Sequence, residues 1–402
     1  MLDFSSFYVY YSGNKLKKTK EETMKTNGQT IDLLVDLEKG RYDWKNDIII
    51  NKSRLLEKIE EVEKTDSPVQ LKRGISLLKS VISYPKNDTD GLVNIDQNGD
   101  TMVLKKWALI EEFKQIEEAQ TVERARYYLD RLKKGISEIK TSKINDINLN
   151  RWKEYEDIIT DSLWIMDKRD TSGAHAGWYW GNFIPQIPHQ LMTRYTKKND
   201  WVLDTFVGSG TTLIECKRLG RNGIGFELSP EVVTKAKELI KKENNAYNIT
   251  TEIIKGDSRK INLRETLNRL GAKSFQFIIM HPPYHDIIKF SRDKDDLSNA
   301  PSTEAFTSMF GEVLDNTIPY LDKGRYLAIV IGDKYCKGTW IPLGFYIMNE
   351  VLKRNFSLKS IIVKNFEETK GKRNQKELWR YRALVGGFYI FKHEYILLFK
   401  KG

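Results

Sequence analysis

The sequence predicts an α/β protein in which a doubly wound, mostly parallel sheet of seven strands follows a mainly helical domain. Two observations carry this prediction. After about residue 150, short apolar runs alternate with amphipathic helical stretches, which is typical of a parallel sheet with helices on both faces. Before that point the chain has long stretches with apolar residues at helical spacing and little Gly or Pro.

The amino-terminal part, residues 1–150, is expected to be a separate mainly helical domain. Helices are predicted over 54–64 and 104–140, with a loop or hairpin over 86–101 between them. The polar stretch 141–150 is the expected boundary, so the second domain is residues 151–402. No recognisable motif lies in the first domain, which leaves its role open.

In the second domain, each expected element follows from a change of periodicity. Helices are predicted over 211–220 and 230–244, and strands over 201–206, 222–228, 249–257, 275–284, 325–333, 356–365 and 393–401. No obvious helix separates the last two strands. They are therefore expected to form an antiparallel edge pair, from which the segment between them hangs as a long loop.

Composition excludes several classes of protein. Hydrophobic residues make up 40% of the 402, which excludes wholesale disorder. Two cysteines exclude a disulfide scaffold, and five histidines leave little for a metal cluster, so no metal is expected. The absence of a signal peptide and of an apolar run of about 18 residues predicts a cytosolic protein without a membrane partner.

The positive charge is concentrated at the carboxyl end. Residues 351–402 hold 13 Lys and Arg against four Glu, a net +9 of the chain's +11. Within them, the basic loop at about 364–385 interleaves cations with Trp379 and Tyr381. This pattern suits a phosphate backbone with stacked bases, although a solvated loop has the same composition. The candidate nucleic-acid contacts are Lys370, Lys372, Arg373, Lys376, Arg380 and Arg382.

The strongest local signal is DTFVGSGTT at 204–212, which follows a strand and opens a helix. Gly208 and Gly210 allow a tight turn and a close approach to a ligand, and free N–H groups at the helix start favour an anionic group. Leu213 stands where a dinucleotide site needs its third glycine, and no Lys follows Gly210 as in a P-loop. The loop therefore indicates a nucleoside site of another kind.

Two acids follow the next two strands. Glu227 ends the second strand, where a carboxylate can accept hydrogen bonds from both ribose hydroxyls. Asp257 follows the third strand and is placed to reach an adenine amino group. Because ligands of open parallel sheets bind at the carboxyl ends of the strands, these acids and the glycine loop are expected to share one site.

The fourth strand ends in His281-Pro282-Pro283-Tyr284. The prolines fix φ and leave neighbouring carbonyl oxygens without local donors, so these oxygens can accept hydrogen bonds from a substrate amino group. Tyr284 offers an aromatic face for stacking a planar base. A Pro-Pro turn that leaves a strand is also common without any such function.

As a set, DTFVGSGTT, Glu227, GDS at 256–258 and HPPY at 281–284 resemble the S-adenosylmethionine-dependent DNA amino-methyltransferases, which modify adenine N6 or cytosine N4. The resemblance covers roughly residues 160–402 and implies a Rossmann-like fold, S-adenosylmethionine as cofactor and DNA as partner. It implies a base pocket of His281, Pro282, Pro283 and Tyr284. It also implies a cofactor site of Phe183, Pro185, Asp204, Phe206, Gly208, Gly210, Thr211, Glu227, Asp257 and Ser258.

His281 departs from the family, whose motif usually begins with Asp or Asn in adenine enzymes and often with Ser in cytosine enzymes. A neutral imidazole can accept a hydrogen bond from the target amino group, whereas an imidazolium cannot. Activity is therefore expected to fall as the pH drops through a pKa near the ordinary value of about 6.5. The alternative is that the Pro282 carbonyl is the main acceptor and His281 a bystander.

The predicted function is site-specific DNA methylation, with adenine N6 slightly favoured over cytosine N4, in restriction–modification or epigenetic marking. A cognate restriction endonuclease is a candidate partner. Two alternatives stay open: methylation of RNA or of a protein side-chain amide, and an inactive relative that binds cofactor and DNA. Target recognition falls to residues 1–150, to the basic loop or to both.

Overall fold

The computed structural model describes residues 46–93, 100–366 and 376–402. The described chain forms two compact units. The first runs to Lys140 and takes in Asn148–Tyr155, and the second consists of Thr141–Ile147 and Glu156–Gly402. The chain thus enters the second unit at Thr141, within the polar stretch expected as a boundary. It returns to the first unit over Asn148–Tyr155 and belongs to the second unit from Glu156 onward.

The first unit is mainly helical in its described part. A two-stranded antiparallel sheet joins β1 and β2, and the helices pack their apolar faces around Ile50, Leu55 and Phe113, each fully buried. The stretch 104–140 is not one helix, because Thr121 caps a new helix by accepting from the backbone N–H of Arg124. The elements are β1 Asp47–Asn51, α1 Lys52–Glu63, α2 Pro68–Ser83, β2 Thr101–Lys105, α3 Lys106–Glu117 and α4 Val122–Ser137.

The second unit is built on an eight-stranded sheet. Its strands are β3 Leu163–Trp164, β4 Trp201–Asp204, β5 Asn222–Glu227, β6 Thr251–Lys255, β7 Phe275–Met280, β8 Leu321–Ile331, β11 Phe356–Asn365 and β12 His393–Lys401. A separate hairpin consists of β9 Lys334–Cys336 and β10 Thr339–Ile341. The helices are α5 Gln186–Tyr195, α6 Thr211–Leu219, α7 Pro230–Lys242, α8 Leu263–Arg269, α9 Thr303–Thr317, α10 Leu343–Leu352 and α11 Lys376–Gly386.

The strand order is β3-β11-β12-β8-β7-β4-β5-β6. Neighbours from β6 to β8 are parallel, whereas β12 is antiparallel to both β8 and β11. The predicted α/β class and the antiparallel pair are confirmed, with two differences. The sheet has eight strands because β3 adds to β11 through two residues, so the antiparallel pair is not the outermost pair.

Helices cover both faces of this sheet, which explains the nearly continuous apolar runs of its central strands. Successive residues point to opposite faces: Val202 and Phe277 belong to one buried cluster, whereas Leu203 and Ile278 belong to the other. No helix among the described residues has the length and apolarity needed to cross a bilayer. The cytosolic location stays a prediction.

Candidate active site

The glycine loop lies between the end of β4 and the start of α6. Gly208 has a φ of +49° and Gly210 a φ of +86°, in the left-handed region where a side chain is strained. A Cβ at Gly208 would lie 2.9 Å from the Tyr179 ring, and one at Gly210 would lie 2.8 Å from Ile240. Glycine is therefore required at both positions by conformation and by space.

Asp204 shapes this loop from inside. Its carboxylate is 1% exposed, accepts a hydrogen bond from the Phe206 backbone N–H at 3.0 Å and accepts another from the Thr212 hydroxyl. Burial raises the pKa of Asp204 to about 6. The carboxylate thus holds the turn between strand and helix, and Phe206 packs against one of the two core clusters.

Asn182 is a loop contact that the sequence did not reveal. Its amide nitrogen donates to the Ser209 hydroxyl, and its amide oxygen accepts from the Thr211 hydroxyl at 2.9 Å. Thr211, a predicted cofactor residue, is 2% exposed. The segment before α5 is therefore tied to the glycine loop. In the sequence, Asn182 is marked only by its position next to Phe183. An asparagine in a loop more often caps a helix or forms a turn, so this position alone does not indicate a contact with the glycine loop.

Phe183 joins this segment to the HPPY motif. Its ring, 7% exposed, lies 5.0 Å from the His281 ring between centroids, and Pro185 is buried at the start of α5. The segment predicted to line the cofactor thus contacts the segment predicted to hold the base.

Arg169 is a second residue of this region that the sequence did not reveal. Its Nη1 donates to the Phe183 carbonyl at 2.8 Å and to the Asn182 carbonyl at 3.3 Å. Its Nε and Nη2 are buried and have no hydrogen-bond partner among the described residues. Desolvation by burial lowers the pKa of this guanidinium, so an anion would relieve the cost of burying the charge.

Glu227 lies at the carboxyl end of β5, next to β4, as predicted. Its Oε1 accepts from the Ser229 backbone N–H at 2.9 Å, and burial raises its pKa. The Asp257 carboxylate, beyond β6, is held by Arg259, whose Nη2 is 2.8 Å away. The Ser258 hydroxyl donates to the Thr205 carbonyl at 2.6 Å. Asp257 and Ser258 thus already have protein partners, and their cofactor roles stay predictions.

The HPPY motif begins directly after β7, which neighbours β4. Nε2 of His281 lies 3.2 Å from the Tyr284 hydroxyl, and that hydroxyl donates to Oε2 of Glu394 at 2.8 Å. The other Glu394 oxygen lies 3.1 Å from Nζ of Lys364. We call these four side chains the imidazole relay. The Tyr284 ring packs against Gly332, where a Cβ would lie 2.8 Å away.

Burial lowers the pKa of His281 to about 4, with the nearby Lys364 charge acting in the same direction. The imidazole is therefore neutral near pH 6.5, so the expected loss of activity moves to lower pH, where it stays a prediction. Burial, followed by the Glu394 carboxylate, raises the pKa of the Tyr284 phenol, which stays protonated.

The basic segment differs from its prediction at its far end, which forms α11 rather than a loop. Lys364, at the near end, lies in β11, in agreement with the strand predicted over 356–365, and it is 5% exposed beside the Glu394 carboxylate. Arg380 and Arg382 are exposed on this helix, and the Arg382 guanidinium lies 5.4 Å from the Trp379 ring. Lys370, Lys372 and Arg373 lie outside the described residues, and Lys376 begins α11.

A buried carboxylate ties α6 to the segment that carries Phe183. Glu215, 1% exposed, contacts Nε2 of His175 at 2.6 Å and Nδ1 of His189 at 2.7 Å. Nη1 of Arg218 lies 3.3 Å from both Glu215 and Asp170. Although these acids and His175 are close enough to bind a cation together, the Arg218 guanidinium already contacts both carboxylates and offsets part of their charge.

Comparison with known proteins identifies the family. A family model for N6/N4 methyltransferases, described as DNA methylase, matches residues 3–238 and 275–402. The chain is 44% identical over 67 residues to the Type II methyltransferase M.MjaII of Methanocaldococcus jannaschii, covering 16% of this chain and 13% of that protein. It is 37% identical over 100 residues to the Type II methyltransferase M2.DpnII of Streptococcus pneumoniae, covering 24% and 34%. The matched stretches thus span only about a third of one relative and 13% of the other.

Among solved structures, TrmN from Thermus thermophilus matches with a TM-score of 0.36 and 15% identity, over 55% of this chain and 49% of that one. That similarity is too low to add to the argument. The family model covers most of the chain, and the strands bring the glycine loop, the acid of β5 and HPPY to one edge of the sheet. The chain belongs to the S-adenosylmethionine-dependent DNA amino-methyltransferase family.

Proposed function

We propose that this protein methylates an exocyclic amino group of a base in DNA, with adenine N6 slightly favoured over cytosine N4 as the target. One observation carries the proposal. The HPPY motif and the glycine loop follow the adjacent strands β7 and β4, and the rings of Phe183 and His281 meet between them at 5.0 Å. A pocket for a planar base therefore adjoins a loop suited to a nucleoside.

The residues around the glycine loop fit S-adenosylmethionine. The two left-handed glycines keep the loop backbone free of side chains, and Glu227 provides a carboxylate at the position suited to ribose hydroxyls. The two unpartnered nitrogens of Arg169 suit the carboxylate of the methionine part. When bound, S-adenosylmethionine supplies an electrophilic methyl group that replaces one amino proton, which passes to solvent.

The chain's own residues act on the amino group. The nitrogen is a poor nucleophile because its lone pair is delocalised into the base. Hydrogen-bond acceptors at its protons localise that lone pair, and His281 and the Pro282 carbonyl supply two such acceptors at the end of β7. A base in duplex DNA must be flipped out at a cost of about a few kcal/mol, which stacking on Tyr284 or Phe183 offsets in part.

The contact with DNA is proposed for the basic segment. Arg380 and Arg382 are exposed on α11, and the lysines before this helix add to the same charge. Replacing both arginines with Ala should flatten the dependence of DNA affinity on salt by up to about two units, roughly one per phosphate contact. An unchanged salt slope, measured by fluorescence anisotropy against the exposed control Lys359→Ala, would return this helix to an ordinary solvated surface.

Nucleoside mass spectrometry tests the reaction itself. DNA incubated with the purified protein and S-adenosylmethionine should gain N6-methyladenine, and His281→Ala should lose most of this activity. Detection of N4-methylcytosine instead would show that the target base is cytosine. No mark on DNA, with cofactor binding confirmed by calorimetry, would refute the proposal in favour of an RNA or protein substrate or of an inactive relative.

We further propose that the protein acts beside a cognate restriction endonuclease, which the name Type II methyltransferase of its relatives supports. Methylated genomic DNA should then resist a nuclease that cuts the unmethylated sequence. Cells that tolerate deletion of the gene with no change in DNA integrity would point instead to a solitary marking enzyme.

A further inference from the structure

We propose that Glu394 and Lys364 are positioning residues that act through Tyr284 to hold His281 with its proton on Nε2 and its lone pair on Nδ1, so that Nδ1 is the acceptor for the target amino group. This proposal rests on the proposed function. It assigns a role to two side chains outside the HPPY motif, and to a particular nitrogen of His281.

Lys364 and Glu394 form the far end of the relay. Lys364 and Glu394 are directly opposite each other on β11 and β12, and both are nearly buried, at 5% and 8% exposure. Nζ of Lys364 is 3.1 Å from Oε1 of Glu394, so a full positive charge faces the carboxylate. A buried ion pair of this kind keeps both partners charged, because neutralising either would leave the other uncompensated.

An ionised carboxylate accepts hydrogen bonds and donates none. The Tyr284 hydroxyl lies 2.8 Å from Oε2 of Glu394, so its single proton is committed to that bond. The hydroxyl oxygen can then only accept from its other neighbour. That neighbour is Nε2 of His281 at 3.2 Å, which must therefore carry a proton.

The nitrogen of His281 that holds the lone pair follows by elimination. In a neutral imidazole, one nitrogen donates and the other accepts, so a protonated Nε2 leaves the lone pair on Nδ1. Nδ1 has no hydrogen-bond partner among the described residues, and the ring packs against Phe183, one of the cofactor-side residues. The groups that bear on the ring are Glu394, Lys364 and Tyr284, and burial keeps it neutral at pH 7.

The direct test is ¹⁵N nuclear magnetic resonance of the full-length protein labelled at histidine. The chain has five histidines, and His281→Gln assigns the signal by its disappearance. The expected spectrum at pH 7 shows a protonated Nε2 and an unprotonated Nδ1. The opposite tautomer would overturn the proposal. This measurement requires no methylation, so it is independent of the proposed function.

The kinetic test separates positioning from folding. Tyr284→Phe keeps the ring but removes the bridge, and Glu394→Gln removes the committed acceptor. Each should lower kcat by about tenfold, the scale of one hydrogen bond, with little change in KM for S-adenosylmethionine. The double variant should be no worse than either single variant, because both changes break one relay. Additive losses would overturn the relay.

Three further substitutions, alone or combined with Glu394→Gln, extend this test. Lys359→Met removes an exposed lysine from the same strand and should leave kcat unchanged, whereas Lys364→Met should resemble Glu394→Gln. In a His281→Asn background the acceptor is an amide oxygen that needs no tautomer, so Glu394→Gln should cost nothing more. A further loss there would show that Glu394 acts on something other than the imidazole.

Discussion

Replacing Glu215 with Gln tests how the candidate site is held together. Glu215 bonds His175 from the segment before the site and His189 from α5, and it lies on α6, the helix that the glycine loop opens. Gln has nearly the same shape but no charge. The substitution should therefore leave Arg218 and both imidazoles without their shared anion, and loosen the segment that carries Phe183.

The size of the expected loss of stability follows from the pKa of Glu215. The protein environment lowers the pKa of Glu215 from 4.5 to about 2, through hydrogen bonds from both histidines that outweigh its burial. A shift of about 2.5 units corresponds to about 3 kcal/mol. Because the folded-state pKa is the lower one, this stabilisation is present above about pH 4.5 and is lost as the pH falls toward 2. At pH 3 less than half of this stabilisation remains.

Thermal unfolding at several pH values measures this effect. At pH 7, Glu215→Gln should lower Tm by about 6 to 12 °C, and at pH 3 by less than half as much. The control is Glu238→Gln, which removes an exposed carboxylate from α7 and should leave Tm nearly unchanged. An equal loss at both pH values would refute the reasoning, because a defect of shape does not titrate; no loss at pH 7 would show that the carboxylate does not hold these elements.

Three other predictions concern the site directly. Gly208→Ala should cost about 1–2 kcal/mol of stability from its left-handed φ alone and weaken cofactor binding by calorimetry, whereas Gly177→Ala, with no atom within 4 Å of the new Cβ, should be neutral. Arg169→Met should weaken S-adenosylmethionine at least about tenfold but leave 5′-methylthioadenosine, which lacks the carboxylate, unaffected; equal losses for both would remove Arg169 from the carboxylate. Titration of His281 should leave the methylation rate constant from pH 5.5 to 8 and lower it toward pH 4, where the folded imidazole gains its proton. A fall in the rate near pH 6.5 would contradict the burial that lowers the pKa of His281 to about 4.

The central part of the fold and the glycine loop were predictable because their signals are local. Strands such as β4 and β5 are short apolar runs bounded by turn residues, and two glycines two residues apart mark a turn that needs left-handed backbone. The rule that ligands bind at the carboxyl ends of parallel strands then placed Glu227 beside the loop without any knowledge of contacts.

The missed parts depend on pairing that is distant in sequence. β3 has two residues and exists only because β11 lies beside it, so no periodicity could show it. Glu394 lies 110 residues after Tyr284, and its ion pair with Lys364 joins two strands, which no local pattern shows. Helix α11 is different, since the run from Lys376 to Val385 has neither Gly nor Pro and is therefore compatible with a helix. Its high density of charge also suits a solvated loop, which is the structure that was predicted.

The relay also gives a physical reason for a neutral side chain, rather than an Asp, at position 281. The site already contains a buried ion pair, with Lys364 and Glu394 in mutual contact and Glu394 one hydrogen bond from Tyr284. An Asp at position 281 would add a second negative charge close to Glu394 with no further cation in the relay, and burying an unpaired charge is costly. A neutral imidazole supplies a strong acceptor atom without that charge. Its drawback is that its lone pair can be on either nitrogen, and this is the ambiguity that a bridge from Glu394 through Tyr284 removes.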